Sequence, residues 1–224
     1  MDASFLLQGK IIQRILSGVL ITLEISAVSI AISLLLGIAI GIAISGNNKI
    51  INGVYRVYLE TVRIIPLLVW LFIFFFGVTK ALNIHIDGLV VSIIVFSIWG
   101  TAETADIVRA SILSIPISQT ENGKAVALTN FQIKLYIIFP QAVKRMIPSI
   151  INLSTRMIKT TTLVSQIGVI EAVKVGQQVI EVTGMTNPSS AFWVYGLLFF
   201  IFFAVCYPLS LLSRNLEKRW AVAE

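Results

Sequence analysis

Residues 25–44 read ISAVSIAISLLLGIAIGIAI, twenty positions without a charge. About 20 apolar residues carry an α-helix across the hydrocarbon core of a bilayer, where the backbone must satisfy its own hydrogen bonds. That stretch sets the class as an all-α integral membrane protein. Ala191–Ser213 is a second uncharged run of similar length. The whole chain agrees: of 224 residues 57% are hydrophobic and only 12% charged, against roughly 25% charged in soluble domains.

Three further apolar segments are interrupted by polar residues: Val54–Val78, Leu89–Ile112 and Met146–Ile170. Together they predict five transmembrane helices, and an odd number places the termini on opposite sides. One set of loops and span ends carries Lys49, Arg56, Arg109, Lys124, Lys134, Lys144, Arg145, Arg214, Lys218 and Arg219; the other carries Lys10, Arg14, Lys80 and Lys174. The positive-inside rule then puts the C-terminus in the cytoplasm and the N-terminus outside. Met1-Asp2 and the late first apolar run do not resemble a cleavable leader. Before the first span, Ile11/Ile12, Ile15/Leu16 and Val19/Leu20 alternate with Lys10, Gln13, Arg14, Ser17 and Glu24 at helical spacing, which predicts an interfacial amphipathic helix. Within the span, Ser29, Ser33, Gly37, Gly41 and Ser45 recur every fourth residue. Such a small-residue stripe admits close approach by another helix, expected here within the same subunit. Cys206 and His85 are each the only residue of their kind, so neither a disulfide framework nor a metal site is expected.

Pro66 removes a backbone donor inside the second span and predicts a break there. Irregular backbone at membrane depth survives only beside protein or a water-filled path. The ionisable residues at that depth are Glu60, Arg63, Glu103, Asp106, Arg109, Arg156 and Lys159. Three acids against four bases predict that most pair and hold spans together, while a few line a polar route. Glu60, Arg63, Glu103, Arg156 and Thr160 are the candidates for that route.

Between hydrophobic runs lies the polar segment 116–140, a cytoplasmic loop within a single domain of residues 1–224. Pro116 ends the third span; Ser118-Gln-Thr-Glu121 and Thr129-Asn-Phe-Gln132 are capping-box patterns, and Pro140 lies beyond the second. They predict two short helices meeting at a bend. Gly123, Ala125 and Ala127 keep the first slim enough to enter a partner's cleft.

These motifs resemble those of the membrane subunits (permeases) of ABC importers, the polar amino-acid type that includes histidine, glutamine and arginine permeases. Their loop carries Glu-Ala-Ala, then a glycine, then Ile-x-Leu-Pro. Here Glu121 matches the glutamate and Ile137-Ile-Phe-Pro140 the ending, while Asn122 and Gly123 replace the alanines and Ala127 stands at the glycine. Glu60-Thr-Val-Arg63-Ile-Ile-Pro66-Leu-Leu is similar to Glu-x-x-Arg-Gly-Thr-Pro-Leu-Leu. Ala102-Glu-Thr-Ala-Asp106-Ile-Val-Arg109 is similar to Ala-Tyr-x-Ala-Glu-x-x-Arg, and Lys159-Thr-Thr-Thr-Leu163 to Lys-Asp-Thr-Ser-Leu. The resemblance implies a homo- or heterodimer in a bacterial cytoplasmic membrane, with an extracytoplasmic solute-binding protein delivering a polar amino acid. It also implies an ATP-binding subunit docked on Glu121, Asn122, Gly123, Lys124, Ala125, Ala127 and Leu128. Glu103, at the family's tyrosine, leans the expected substrate toward basic amino acids.

No G-x-x-x-x-G-K-[ST] loop occurs in the chain, so ATP and Mg would be bound by the partner, and no cofactor or catalytic residue is expected in this subunit. The alternative is a self-sufficient secondary carrier or channel, although no internal repeat of the kind common in carriers is evident. The hydroxyls of Thr160–Thr162 are expected to bond to helix carbonyls rather than perform catalysis.

Overall fold

The computed structural model describes residues 4–7, 9–46 and 48–221, and among these there are helices and turns but no strand. Met1-Asp2, on which the reading of the leader rested, lie outside the described residues. In chain order the helices are α1 (Ile11–Ile44), α2 (Lys49–Ile64), α3 (Leu67–Leu82), α4 (Gly88–Leu113), α5 (Ile117–Ala125), α6 (130–160), α7 (Ala172–Thr183) and α8 (Ser190–Ala221). A 3-10 stretch, Thr161–Ile167, follows α6.

Among the described residues, α1, α4 and α8 are each long and apolar enough to cross a membrane, and α2 with α3 passes that test as one broken span. The break falls at the expected proline. Ile65 leaves the helix at φ −79° and ψ 125°, and Pro66 follows at φ −57° and ψ 139°. The Pro66 carbonyl then accepts from Val69 and Trp70 to start α3, so the backbone is satisfied again within one turn. The fifth candidate, Met146–Ile170, falls on the end of α6 and the 3-10 stretch. Among the described residues it is not one of the helices long and apolar enough to cross a membrane.

The amphipathic start of the chain is not a separate helix lying in the membrane interface. It is the beginning of α1, which runs unbroken for 34 residues, about 50 Å at 1.5 Å per residue. Nothing between Ile11 and Ile44 breaks a helix, and the apolar side of the first turns is occupied by protein. Ile15 packs in a core with Phe5, Ala172, Val175, Val179, Val194 and Leu198. The other half of each apolar pair, Ile12, Leu16 and Leu20, stays exposed.

The chain divides into two compact units. The first comprises the residues up to Ile30, Pro66–Phe96 and Thr155–Pro208; the second comprises Ala31–Ile65, Ser97–Ser154 and the residues from Leu209 on. In the first unit Glu171 opens α7. It is fully buried, and its carboxylate accepts from the backbone N–H groups of Val173 and Lys174 at 2.9 and 2.8 Å. The Thr22 hydroxyl of α1 lies 3.4 Å from the same carboxylate and 3.4 Å from the Ala172 N–H. A side chain thus satisfies the orphan donors of α7 where no water can.

Four of the five residues of the small-residue stripe pack within the subunit, as expected, while the Ser45 hydroxyl donates to the Ile42 carbonyl at 2.7 Å. In the first unit Ser29 donates to the Ile93 carbonyl of α4. In the second, Ser33 donates to the Ser97 carbonyl, and Gly37 and Gly41 meet the next turns of α4. A Cβ on Gly37 would lie 2.5 Å from Thr104 Cβ, and one on Gly41 2.6 Å from Val108 Cβ. Both obstacles are branch points next to backbone and cannot swing aside. Gly37→Ala is therefore expected to destabilise the folded chain by about 2 kcal/mol, the cost of overpacking a close helix contact. Denaturant unfolding in detergent reads this, and an unchanged midpoint would mean that the helices are not in close contact.

Candidate functional site

Two features of the second unit carry the chemistry: a charged cavity beside α2, and the short helix α5. The cavity begins with two tyrosines. α2 fixes itself on α4 through the Tyr55 hydroxyl, which donates to the Ala102 carbonyl at 2.7 Å, and the Tyr58 hydroxyl, which donates to the Ile98 carbonyl. Val62, one helical turn on from Tyr58, is buried. This pose carries Arg63 over α4, where its Nε donates to Glu103 at 2.9 Å and its Nη2 to Asp106 at 2.8 Å. Asp106 also faces Arg109 at 4.0 Å. Glu60 lies toward Arg56 instead, at 3.4 Å along the exposed side of α2.

These groups border a cavity of about 650 Å³. Its wall includes four cations, Lys49, Arg56, Arg63 and Arg109, and two carboxylates, Glu60 and Asp106. Of the five route candidates, the structure joins Arg63 to Glu103 and gives Glu60 a different partner. Arg156 and Thr160 belong to the other unit, on α6. There Arg156 is exposed, and the Thr160 hydroxyl donates to the Arg156 carbonyl at 2.8 Å. Thr161 and Thr162 likewise donate to Ile158 and Lys159, so all three hydroxyls are used inside the helix. Pairing accounts for the three membrane-depth acids, Glu60, Glu103 and Asp106, as the near balance of charge predicts. Asp106 is an equal partner of Arg63; its place one turn from Glu103 was the signal for it. Glu171 was not foreseen, because a glutamate is a rare cap and its spacing announces nothing.

The polar loop is a helix, a tight turn and a second helix. α5 does not start at the Ser118–Glu121 pattern: Pro116 is its N-cap, at φ −57° and ψ 140°, with no side-chain cap bond. Proline needs no N–H partner at a helix start and presets the backbone, so the helix opens at Ile117 and Ser118 falls inside its first turn. The Thr129 box does form, with the Thr129 hydroxyl accepting from Gln132 N–H and the Gln132 side chain accepting from Thr129 N–H. The helix it starts does not stop before Pro140. α6 continues through Pro140 because its residues Ile133–Ile138 form a wide π turn, which relieves the clash of the Pro140 ring with the preceding carbonyls, and it runs on past Pro148 to Thr160.

The turn between the two helices is a Schellman cap: Leu128 N–H donates to Gly123 O at 3.1 Å and Ala127 N–H to Lys124 O at 2.9 Å. Ala127 takes φ +59° to close it, the left-handed conformation that glycine adopts without strain. A side chain there costs about 1–2 kcal/mol. Ala127→Gly is accordingly expected to raise stability by about 1 kcal/mol, with entropy offsetting part of the gain; an unfolding midpoint that falls would contradict it.

Of the seven residues assigned to partner contact, Glu121, Asn122, Lys124, Ala125 and Ala127 are exposed and Leu128 is half-buried. Gly123 is buried and turned inward: a Cβ there would meet Ile133 Cγ1 at 2.8 Å. Its smallness seats α5 on α6 rather than slimming the outer face. Three exposed apolar residues flank that face and were not anticipated, Ile117, Val126 and Phe131, at 76%, 70% and 73% exposure.

Residues 33–222 match the family model described as binding-protein-dependent transport system inner membrane component. The L-cystine transport system permease protein TcyB of Bacillus subtilis is 36% identical over 74% of this chain and 69% of its own length. The glutamine transport system permease protein GlnP of Escherichia coli is 29% identical over 77% of each. In three dimensions the chain is similar to the crystal structure of an amino acid ABC transporter with histidines, with a TM-score of 0.84 and 26% identity over 98% of this chain and all of that one. The chain belongs to the family of binding-protein-dependent transport system inner membrane components, as an ABC transporter permease.

Proposed function

We propose that this chain is the membrane-spanning subunit of an ATP-driven importer of polar amino acids in a bacterial cytoplasmic membrane. It has five spans, with the N-terminus outside and the C-terminus in the cytoplasm. The observation that carries the reading is α5: a short helix locked to α6 by a Schellman turn and by the Gly123–Ile133 contact, with its charged outer face open and apolar residues at its edges. An ATP-binding subunit docks there and holds the ATP and Mg, while this chain performs no catalysis. Closure of two such subunits around nucleotide moves α5 and α6 as a lever, which biases the spans between two states by differential contact.

The translocation path runs past Glu60, Arg63 and Glu103, and Arg156 and Thr160 are assigned to the same route. The Arg56 and Glu60 side chains are 80% and 60% exposed on a broken span, and charges so placed cannot face hydrocarbon cheaply. They face water in a path shared with a second permease, a copy or a paralogue, to which an extracytoplasmic solute-binding protein delivers the amino acid. The amino-acid permeases among the relatives support this substrate class.

Glu121→Lys tests the lever. With insertion and folding intact, uptake is expected to fall at least about tenfold, as expected when like charge meets a docking partner. Uptake equal to that of the natural chain would count against α5 as the coupling point.

A further inference from the structure

We infer that the cavity beside α2 admits amino acids with neutral or acidic side chains and rejects those with cationic ones. This rests on the reading of the cavity as part of the path, and it reverses the lean toward basic substrates that Glu103 suggests in the sequence.

Each carboxylate at the cavity is already committed. Glu103 lies behind Arg63, bonded to its Nε at 2.9 Å and only 11% exposed. Asp106 receives Arg63 Nη2 at 2.8 Å and faces Arg109. Glu60 alone is held loosely, by one guanidinium at 3.4 Å, with both side chains largely in solvent. Exposed i,i+4 pairs of this kind are weak and exchange partners readily.

The cations are in surplus. Four line the cavity against two carboxylates there, and counting Glu103 behind them the balance is still one positive charge. Each guanidinium has five N–H donors, so Arg56, Arg63 and Arg109 keep donors beyond those their carboxylates use.

An amino acid brings one carboxylate and one ammonium on its α-carbon. The surplus guanidinium donors can take the carboxylate, bidentate where geometry allows, and Glu60 can turn from Arg56 to the ammonium. That exchange uses the one loosely held carboxylate. A second cation, on a lysine or arginine side chain, finds no carboxylate left and faces like charge instead. A neutral polar side chain meets no such penalty, and an acidic one meets further donors. A second copy of this chain would bring the same balance.

The test isolates this cavity from the choosiness of the solute-binding protein. The complex of this chain with its ATP-binding subunit, without the binding protein, is equilibrated with radiolabelled glutamine, and lysine, glutamate and unlabelled glutamine compete. Lysine is expected to compete at least about tenfold more weakly than glutamine, as like-charge juxtaposition predicts, and glutamate at least as well as glutamine. Arg63→Gln removes the guanidinium bonded to Glu103 and Asp106 and is expected to narrow the lysine-to-glutamine gap. Lys49→Glu adds a carboxylate at the rim without touching an ion pair, so it gives the same reading should Arg63→Gln fold poorly.

Lysine competing as well as glutamine in the natural complex, or a gap unmoved in a folded variant, overturns the selectivity and leaves the path in place. A complex that still transports when supplied with its binding protein, yet binds no amino acid here and ignores both substitutions, overturns the path reading itself and the selectivity with it.

Discussion

Arg63→Met is expected to destabilise the folded chain by about 3 kcal/mol, within the range for removing one partner of a buried pair. Methionine keeps the stem of the arginine and removes its charge. The Arg63 side chain is itself 45% exposed, so solvent screening holds the cost at the low end of that range. The loss arises on the other side of the pair: Glu103 at 11% and Asp106 at 28% exposure both lose the Arg63 guanidinium, and Asp106 keeps only the longer 4.0 Å contact with Arg109. A charge left there without its counter-ion is not resolvated, because Tyr55, Tyr58 and Val62 still hold α2 on α4. Adding Glu103→Met should recover more than half of the loss. The double variant removes the stranded charge along with its partner, and paired burial is often near break-even against apolar packing. Unfolding midpoints of the two single variants and the double, in one detergent, complete the cycle. Strict additivity would mean that the two side chains do not interact in the folded state.

Glu171→Ala is the second large effect, again about 3 kcal/mol. The truncation leaves the Val173 and Lys174 N–H groups without an acceptor in a place the side chain fills completely. Each buried orphan donor costs about 1–3 kcal/mol, and losing a cap alone about 0.5–2. The two estimates overlap, since the cap bonds are the same bonds. Glu171→Gln keeps the volume and one good acceptor and should cost about half as much. Thr22→Val, which gives up the two contacts near 3.4 Å and the hydroxyl's bond to the Gly18 carbonyl at 3.1 Å, should cost about 1 kcal/mol. The expected order is Ala, then Gln, then the Thr22 variant. A Glu171→Ala protein that melts with the natural one would show that α7 finds its capping elsewhere.

What the sequence discloses divides along a physical line. Signals written in one short stretch were readable. The fourfold spacing of Ser29, Ser33, Gly37 and Gly41 needs only helix geometry to become one face, and that face meets α4 turn by turn. Pro66 breaks its helix because the defect is local to the ring and the missing N–H. The Thr129 box forms for the same reason. Signals that depend on competition are not legible in one stretch. Ser118–Glu121 is a sound cap pattern defeated by Pro116 two residues earlier, and Pro140 fails to stop α6 because a π turn upstream absorbs it. The interfacial start became part of α1 because α7 and α8 offered its apolar face a protein surface, which no pattern within Ile11–Leu20 can disclose.

The candidate site follows the same rule. Its ionisable residues stood out at once against an apolar background. Their pairing did not, since Arg63 bonds to Glu103, forty residues away, and no local spacing marks that contact. Glu171 is the extreme case: its partners are backbone N–H groups and a threonine 149 positions away. The inward turn of Gly123 was equally hidden, because a glycine in a docking helix reads as slimness until Ile133 is seen against it.

This permease is expected to move solute only when a separate ATPase acts on α5. Proteoliposomes holding the chain alone, the chain with its ATP-binding subunit and solute-binding protein, and the same assembly with Glu121→Lys are compared for uphill uptake of labelled glutamine. Accumulation is expected in the second set with ATP present, none in the first under any ion gradient, and little in the third. Accumulation driven by a proton or sodium gradient in vesicles holding the chain alone would contradict it.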